Sequence, residues 1–181
     1  TYPTPPEIIT TFSDDFEDGE IWEGWDTDAR SHMLMEEEGY LKIAVDKPTD
    51  AEKWDGLTMG FGENTLLDLS ENGGYFSVDL VATEDVTVDI AVWDVDGVYN
   101  PGNNQLELTA GEDWVTMEFE FVGDNLIHYK WDGSIIDTVD NSMIDHLLMT
   151  FNGGEPWTGE VWMDNMKIGD AAIPPVQNKP T

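Results

Sequence analysis

The residue types that suggest chemistry here are rings and acids. Eight tryptophans stand in a chain of 181 residues, more than one small core needs. Trp93 is the best placed of them. It shares a period-two face with Thr87 and Asp89, opposite Val86, Val88, Ile90 and Val92. Tyr75 and Asp79 stand in the same way on a second segment, opposite Phe76, Val78 and Leu80. Trp54, Tyr99 and Trp157 fall near turns rich in Gly, Asn and Asp. An indole beside polar groups suits a pyranose, whose C–H face packs on the ring while its hydroxyls find hydrogen-bond partners. Trp114, after Gly-Glu-Asp, reads as a core anchor at a strand start, and Trp22, Trp25 and Trp162 also read as structural. For any single tryptophan core packing is the commoner role, so the group carries the expectation of at least one exposed ring.

The acids offer two other chemistries. Glycosidases need a pair of carboxylates, and with 39 Asp and Glu chance pairs abound. The Glu-x-Asp-x-x-Glu pattern of jelly-roll glucanases is absent, and Glu118 and Glu120 read as a solvated strand face. No Gly-x-Ser-x-Gly elbow, His-Glu-x-x-His motif, phosphate-binding glycine loop or cysteine nucleophile occurs either. Calcium is the second chemistry, because it takes six to eight oxygen ligands. Acidic runs at residues 13–19 and at Asp164-Asn165 would meet if the first and last strands lay side by side. Asp94-x-Asp96-Gly97 resembles the start of an EF-hand loop, but Gln105 stands where the bidentate Glu belongs, so a strand turn is expected.

Composition narrows the partners. Seven Lys and Arg against 39 Asp and Glu give a net charge of −32. Such a surface repels nucleic-acid phosphates and anionic membranes, and it disfavours sulfated or uronate glycans. A saline habitat or a need for solubility would account for the same acidity. No cysteine is present, so no disulfide holds the fold. No apolar run approaches the ~20 residues of a membrane helix.

Positioning these residues falls to strands. Period-two alternation recurs in 40–45, 75–82, 86–93 and 115–121, with further strands expected at 8–16, 56–61, 145–151 and 161–168. A hairpin is expected around Asp132-Gly133, and turn signals such as Glu38-Gly39 and Asp96-Gly97 separate the runs. Eight to ten strands at this spacing imply an all-β antiparallel sandwich or jelly roll. Proline-rich flanks at 1–7 and 171–181 read as linkers around one domain at 8–170.

In order along the chain stand Asp15-Phe16-Glu17-Asp18-Gly19 with Trp25, Gly39-Tyr40-Leu41-Lys42-Ile43, the strands 75–82 and 86–97, Leu106 to Thr116, 147–152, and Gly159 to Ile168. Together these elements resemble a non-catalytic carbohydrate-binding module of the β-sandwich (jelly-roll, galactose-binding-like) type. The resemblance implies a structural calcium on Glu17 and Asp164, joined by Asp15 or Asp18. It also implies glycan binding either on a concave sheet face, at Tyr75, Asp79, Asp89, Trp93 and His146, or in end loops, at Trp54, Tyr99 and Trp157. The longer segment 123–141 would add Trp131 to a cleft wall. The expected protein is therefore a secreted or cell-surface module, monomeric and non-enzymatic. It would tether a linked enzyme or surface protein to a neutral polysaccharide such as β-glucan, xylan, mannan or agarose. A structural or adhesive domain is the first alternative, and a jelly-roll hydrolase or lyase the second.

Overall fold

A computed structural model describes residues 4–27, 32–48, 56–70, 74–100, 105–111, 113–121, 129–130 and 139–169. In chain order the strands are β1 (Glu7–Ile9), β2 (Phe12–Asp14), β3 (Trp25–Thr27), β4 (His32–Glu37), β5 (Tyr40–Lys47), β6 (Gly56–Gly60), β7 (Thr65–Leu67) and β8 (Tyr75–Ala82). They continue with β9 (Val86–Asp94), β10 (Val98–Asn100), β11 (Gln105–Leu108), β12 (Val115–Glu120), β13 (Tyr129–Lys130), β14 (Ile144–Phe151) and β15 (Trp157–Gly169). No helix of the described residues is long and apolar enough to cross a membrane.

Two sheets form, as the alternation requires. The first runs β1-β7-β14-β9-β10-β13, with β11 also on β9 and with β6 joining β14 to β3. The second runs β12-β8-β15-β5-β4, with β2 added to β15. Neighbouring strands are antiparallel except β1 and β7. The inward sets meet between the sheets: Val88, Ile90, Val92, Leu147 and Met149 from the first, and Leu41, Ile43, Leu80, Val161 and Met163 from the second. Burying each such side chain stabilises the fold by about 1.5–3 kcal/mol relative to leaving it exposed. The chain is an antiparallel-rich β-sandwich, as its sequence implies.

Local departures from the expected strands have physical causes. The run 8–16 is not one strand. It divides at Thr10-Thr11, with β1 pairing in the first sheet and β2 in the second. Gly169, at φ 114°, approaches Thr10 so closely that a Cβ there would meet its carbonyl, and the chain crosses between sheets at this contact. Val115, expected inward, is 41% exposed because β12 is the edge of its sheet. Glu38 and Gly39 both take positive φ, 53° and 85°, as the primed turn joining β4 to β5 demands. Asp94 makes the expected strand turn: its Oδ1 accepts from the Asp96 and Val98 amides and its Oδ2 from that of Asp140. The Asp132-Gly133 hairpin lies outside the described residues.

Candidate functional site

β9 sets the site. Because Val86, Val88, Ile90 and Val92 enter the core, Thr87, Asp89, Ala91 and Trp93 face outward on the first sheet. Register then fixes their neighbours, since directly paired residues share a face. One row crosses five strands: Gly60 pairs with His146, His146 with Trp93, Trp93 with Tyr99 and Tyr99 with Tyr129. At the spacing of adjacent strands this row is about 19 Å long. A parallel row holds Thr58, Leu148 and Ala91, and a third holds Gly56, Thr150, Asp89 and Gln105. Trp93 and His146 therefore occupy one margin of the face, small and apolar groups its middle, and hydrogen-bonding groups the other margin.

A bulge aligns the two rings. The β14–β9 register shifts between Ile144 and His146, so Ile144 stays in the core while His146 sits beside Trp93. Their ring centroids are 5.7 Å apart with 11° between planes. Asp145 Oδ2 lies 2.9 Å from His146 Nδ1 and holds the imidazole in that orientation. Next to it opens a groove of about 450 Å³, lined by Gly60, Gly62, Asn64, Leu66, Val95 and His146 among others. A Cβ on Gly60 would meet nothing within 4 Å, so the ring row runs unobstructed into this groove.

The polar margin is partly dehydrated. Burial pushes the Asp89 carboxyl above the usual aspartate range, while a Gln105 hydrogen bond and the Lys47 charge pull it back. Lys47 extends from β5 of the opposite sheet and is buried. Its Nζ donates to the carbonyls of Phe151, at the end of β14, and of Gly153, at 2.8 Å in the second case.

The sequence candidates thus separate. Trp93, Asp89 and His146 share one outer face. Tyr75 and Asp79 lie on β8, in the other sheet, and turn away from that face because Phe76, Val78 and Leu80 enter the core. Asp79 is buried and accepts from Thr116 Oγ1 at 2.5 Å and Asn165 Nδ2 at 3.0 Å. Burial and Glu118 raise the Tyr75 phenol above its ordinary range. Trp157 is 8% exposed, stacks on Phe151 and donates from Nε1 to the Asp85 carbonyl, so it is a core residue and not a loop platform. Trp54 and Trp131 lie outside the described residues. Tyr99 is placed by its strand register. Trp25 is buried against Phe16 as expected of a structural ring. Trp114 and Trp162 are not core anchors: both are partly exposed and cluster with Tyr40 on the second sheet.

The segments that carry the acids of the expected calcium site run side by side. β2 does pair with β15, Asp14 opposite Met166, which brings the 13–19 segment alongside the Asp164-Asn165 bulge. Asp15, Glu17 and Asp18 are exposed, and Asp164 is buried with Oδ1 accepting from the Asn165 amide at 2.7 Å. Carboxylates have the right donor chemistry for calcium. Among the described residues no three His, Asp or Glu side chains gather around one cation position. The remaining ligands would have to be carbonyls and water. Glu36 was not apparent from the sequence. Its carboxyl is pushed up to about 7, first by burial and then by the charges of Asp18 and Asp14. The extra residue in a run reading Met-Glu-Glu-Glu gives no sign of which acid turns inward; pairing with core-facing Leu41 decides it.

No protein-family model and no curated protein sequence matches the chain. Among solved structures, an agarase superposes with TM-score 0.67 at 13% identity, over 91% of this chain and 25% of that one. A family 11 carbohydrate-binding module from Clostridium thermocellum, in complex with a β-1,3-1,4-mixed-linked tetrasaccharide, gives 0.58 at 18% identity, over 87% of this chain and 94% of that one. A mutant of a family 29 carbohydrate-binding module gives 0.53 at 13% identity, over 93% and 100%. The chain spans about a quarter of the agarases and nearly the whole of the modules. Its fold is that of the β-sandwich carbohydrate-binding modules.

Proposed function

We propose that the chain is a non-catalytic module that holds a linked enzyme or surface protein on a neutral polysaccharide, bound across the outer face of the first sheet. The observation that carries this reading is the Trp93–His146 pair, parallel within 11° and in one register row, opposite a margin bearing Asp89 and Thr150. Flat rings beside preset polar groups bind a sugar's apolar face and fix its hydroxyls. The net charge of −32 supports a neutral chain over a sulfated or uronate one. Likeness to part of an agarase favours including agarose with β-glucan, xylan and mannan among the candidate ligands. Such a module works outside the cell, where these polysaccharides are.

Affinity electrophoresis and calorimetry against these four polysaccharides test the reading. Retention by at least one, weakened in Trp93→Ala at unchanged melting temperature, is expected. Release of reducing sugar by the isolated chain would instead favour a hydrolase. A structural calcium on Glu17 and Asp164 belongs to the same proposal, supported by the pairing of β2 with β15. Calcium then raises the melting temperature by ~2–4 °C per kcal/mol of binding, and chelator reverses it. A melting curve indifferent to both would remove the metal.

A further inference from the structure

The opposite face of the sandwich carries its own rings. The alternation that buries Leu41, Ile43, Val161 and Met163 turns Tyr40, Lys42, Glu160 and Trp162 outward from β5 and β15. Tyr40 and Trp162 stack at 5.3 Å with 28° between planes. Trp114, just before β12, meets Tyr40 edge-on at 5.9 Å and 70°. All three are partly exposed, and the buried core contains none of them.

Polar groups are fixed around these rings. Trp162 Nε1 donates to Glu160 Oε2 at 3.1 Å. Lys42 Nζ stands 3.7 Å from Glu160 Oε1 and 3.5 Å from Glu37 Oε2. Two carboxylates and an ammonium are thus tethered beside three rings. A surface lysine and its acids gain little stability from such pairing, and leaving large rings partly wet gains none.

We propose that this face is a second saccharide platform, on the side of the sandwich away from Trp93, and that it takes the same class of ligand, a neutral hydroxyl-rich glycan chain. The rings offer faces to pyranose C–H groups, Glu37 and Glu160 accept from hydroxyls, and Lys42 donates. The carboxylate rim repels phosphorylated, sulfated and nucleic-acid chains, which leaves uncharged polyols as the matching partner. The proposal rests on the glycan reading of the first face and extends it. A module with platforms on both faces links two polysaccharide chains, or grips a matrix with an avidity neither face has alone.

Calorimetry with agarohexaose and cellohexaose tests it on the wild type, on Trp93→Ala and on the Tyr40→Ala/Trp162→Ala double variant. Two hexasaccharides per wild-type chain and one per chain of either variant are expected. Only the wild type should cross-link dissolved agarose or β-glucan into a light-scattering network. To separate binding from folding, Lys42→Ala/Glu160→Gln keeps all three rings. In the Trp93→Ala background it should weaken the residual binding about three- to tenfold. One hexasaccharide per wild-type chain, with Trp93→Ala abolishing all binding, would overturn this inference and leave the first face intact. So would a Tyr40/Trp162 variant that binds and cross-links as the wild type does, and the rings would then cover a protein neighbour. If the wild type binds neither of these nor xylan or mannan hexasaccharides, both readings fail together.

Discussion

On the first sheet Trp93 and His146 lie parallel, with Gly60 at the end of their row and Leu148 between the small residues Thr58 and Ala91 in the next. On the second sheet Trp162 and Trp114 both pack on Tyr40, in a sheet that also buries Asp79 and Asp164. Both faces come from the same alternation, so the difference lies in the neighbours that register supplies. Small neighbours leave the first ring pair open along a row that ends in a groove. Large neighbours give the second cluster ring-to-ring contacts on both sides of Tyr40. A ring pair is therefore the more open to a ligand the smaller the residues that flank it. This ranks the first face above the second as the main site.

The two faces meet mechanically at Lys47. It starts on the second sheet and donates to the end of the first. The largest expected effect follows from removing it. Lys47→Met keeps the volume but deprives the Phe151 and Gly153 carbonyls of this donor, and each buried acceptor left unmade costs about 1–3 kcal/mol. Chemical denaturation should show a loss of ~2–4 kcal/mol, and an unchanged midpoint would mean that the clamp is passive. Trp93→Ala comes next. Truncating a central ring of a binding face typically costs ~2 kcal/mol or more, about 30-fold in affinity. His146→Ala should cost less, roughly five- to tenfold, because it removes one ring of the pair and leaves the indole. If His146→Ala proves worse than Trp93→Ala in calorimetry, the row is ordered differently from this ranking.

Much of this was legible in the sequence, and its limits are physical. Period two tells which residues share a face of one strand, so Trp93 with Asp89 and Tyr75 with Asp79 were each paired correctly. It says nothing of which sheet a strand joins, and β8 and β9 are adjacent in sequence but belong to opposite sheets. The four residues were therefore expected on one concave face and divide between two. His146 came from family resemblance and is placed beside Trp93 by a bulge that no periodicity announces. Trp162 alternates outward as clearly as Trp93 does. Core packing is the commoner role of a tryptophan and alone makes it read as structural, whereas its exposure depends on β15 lying between β5 and β8 with Tyr40 beside it. Buried acids were the least legible of all, since one carboxylate among 39 carries no local signature of burial.

Glu36 sharpens the contrast at the second sheet's margin. Its carboxyl, raised from 4.5 to about 7, holds a proton in the folded state that the unfolded chain has already released. The stabilising contribution is full below about pH 4.5 and is lost as pH rises through about 7. Glu36→Gln should therefore melt higher than the wild type at pH 8 and nearly equal to it at pH 4.5. An advantage that is the same at both values would show that neither burial nor the Asp18 and Asp14 charges raise the Glu36 carboxyl.

Asp89 makes the smallest and most discriminating test of the first face. Burial raises its carboxyl, so ionising it works against the fold as pH rises above the unfolded value. Asp89→Asn removes that penalty and should raise the melting temperature at pH 7 by ~1–3 °C. The same change exchanges a charged acceptor for a neutral one that can also donate. If the carboxylate receives sugar hydroxyls, affinity should fall about three- to tenfold. Wild-type affinity should also decline on acidification through the Asp89 titration, and the variant's should not. A residue retained only for packing would improve stability without touching binding. A gain in melting temperature joined to a loss of affinity and of its pH dependence marks a group held in an unfavourable state for its ligand. On the other face the Asp79 carboxylate already accepts from Thr116 and Asn165.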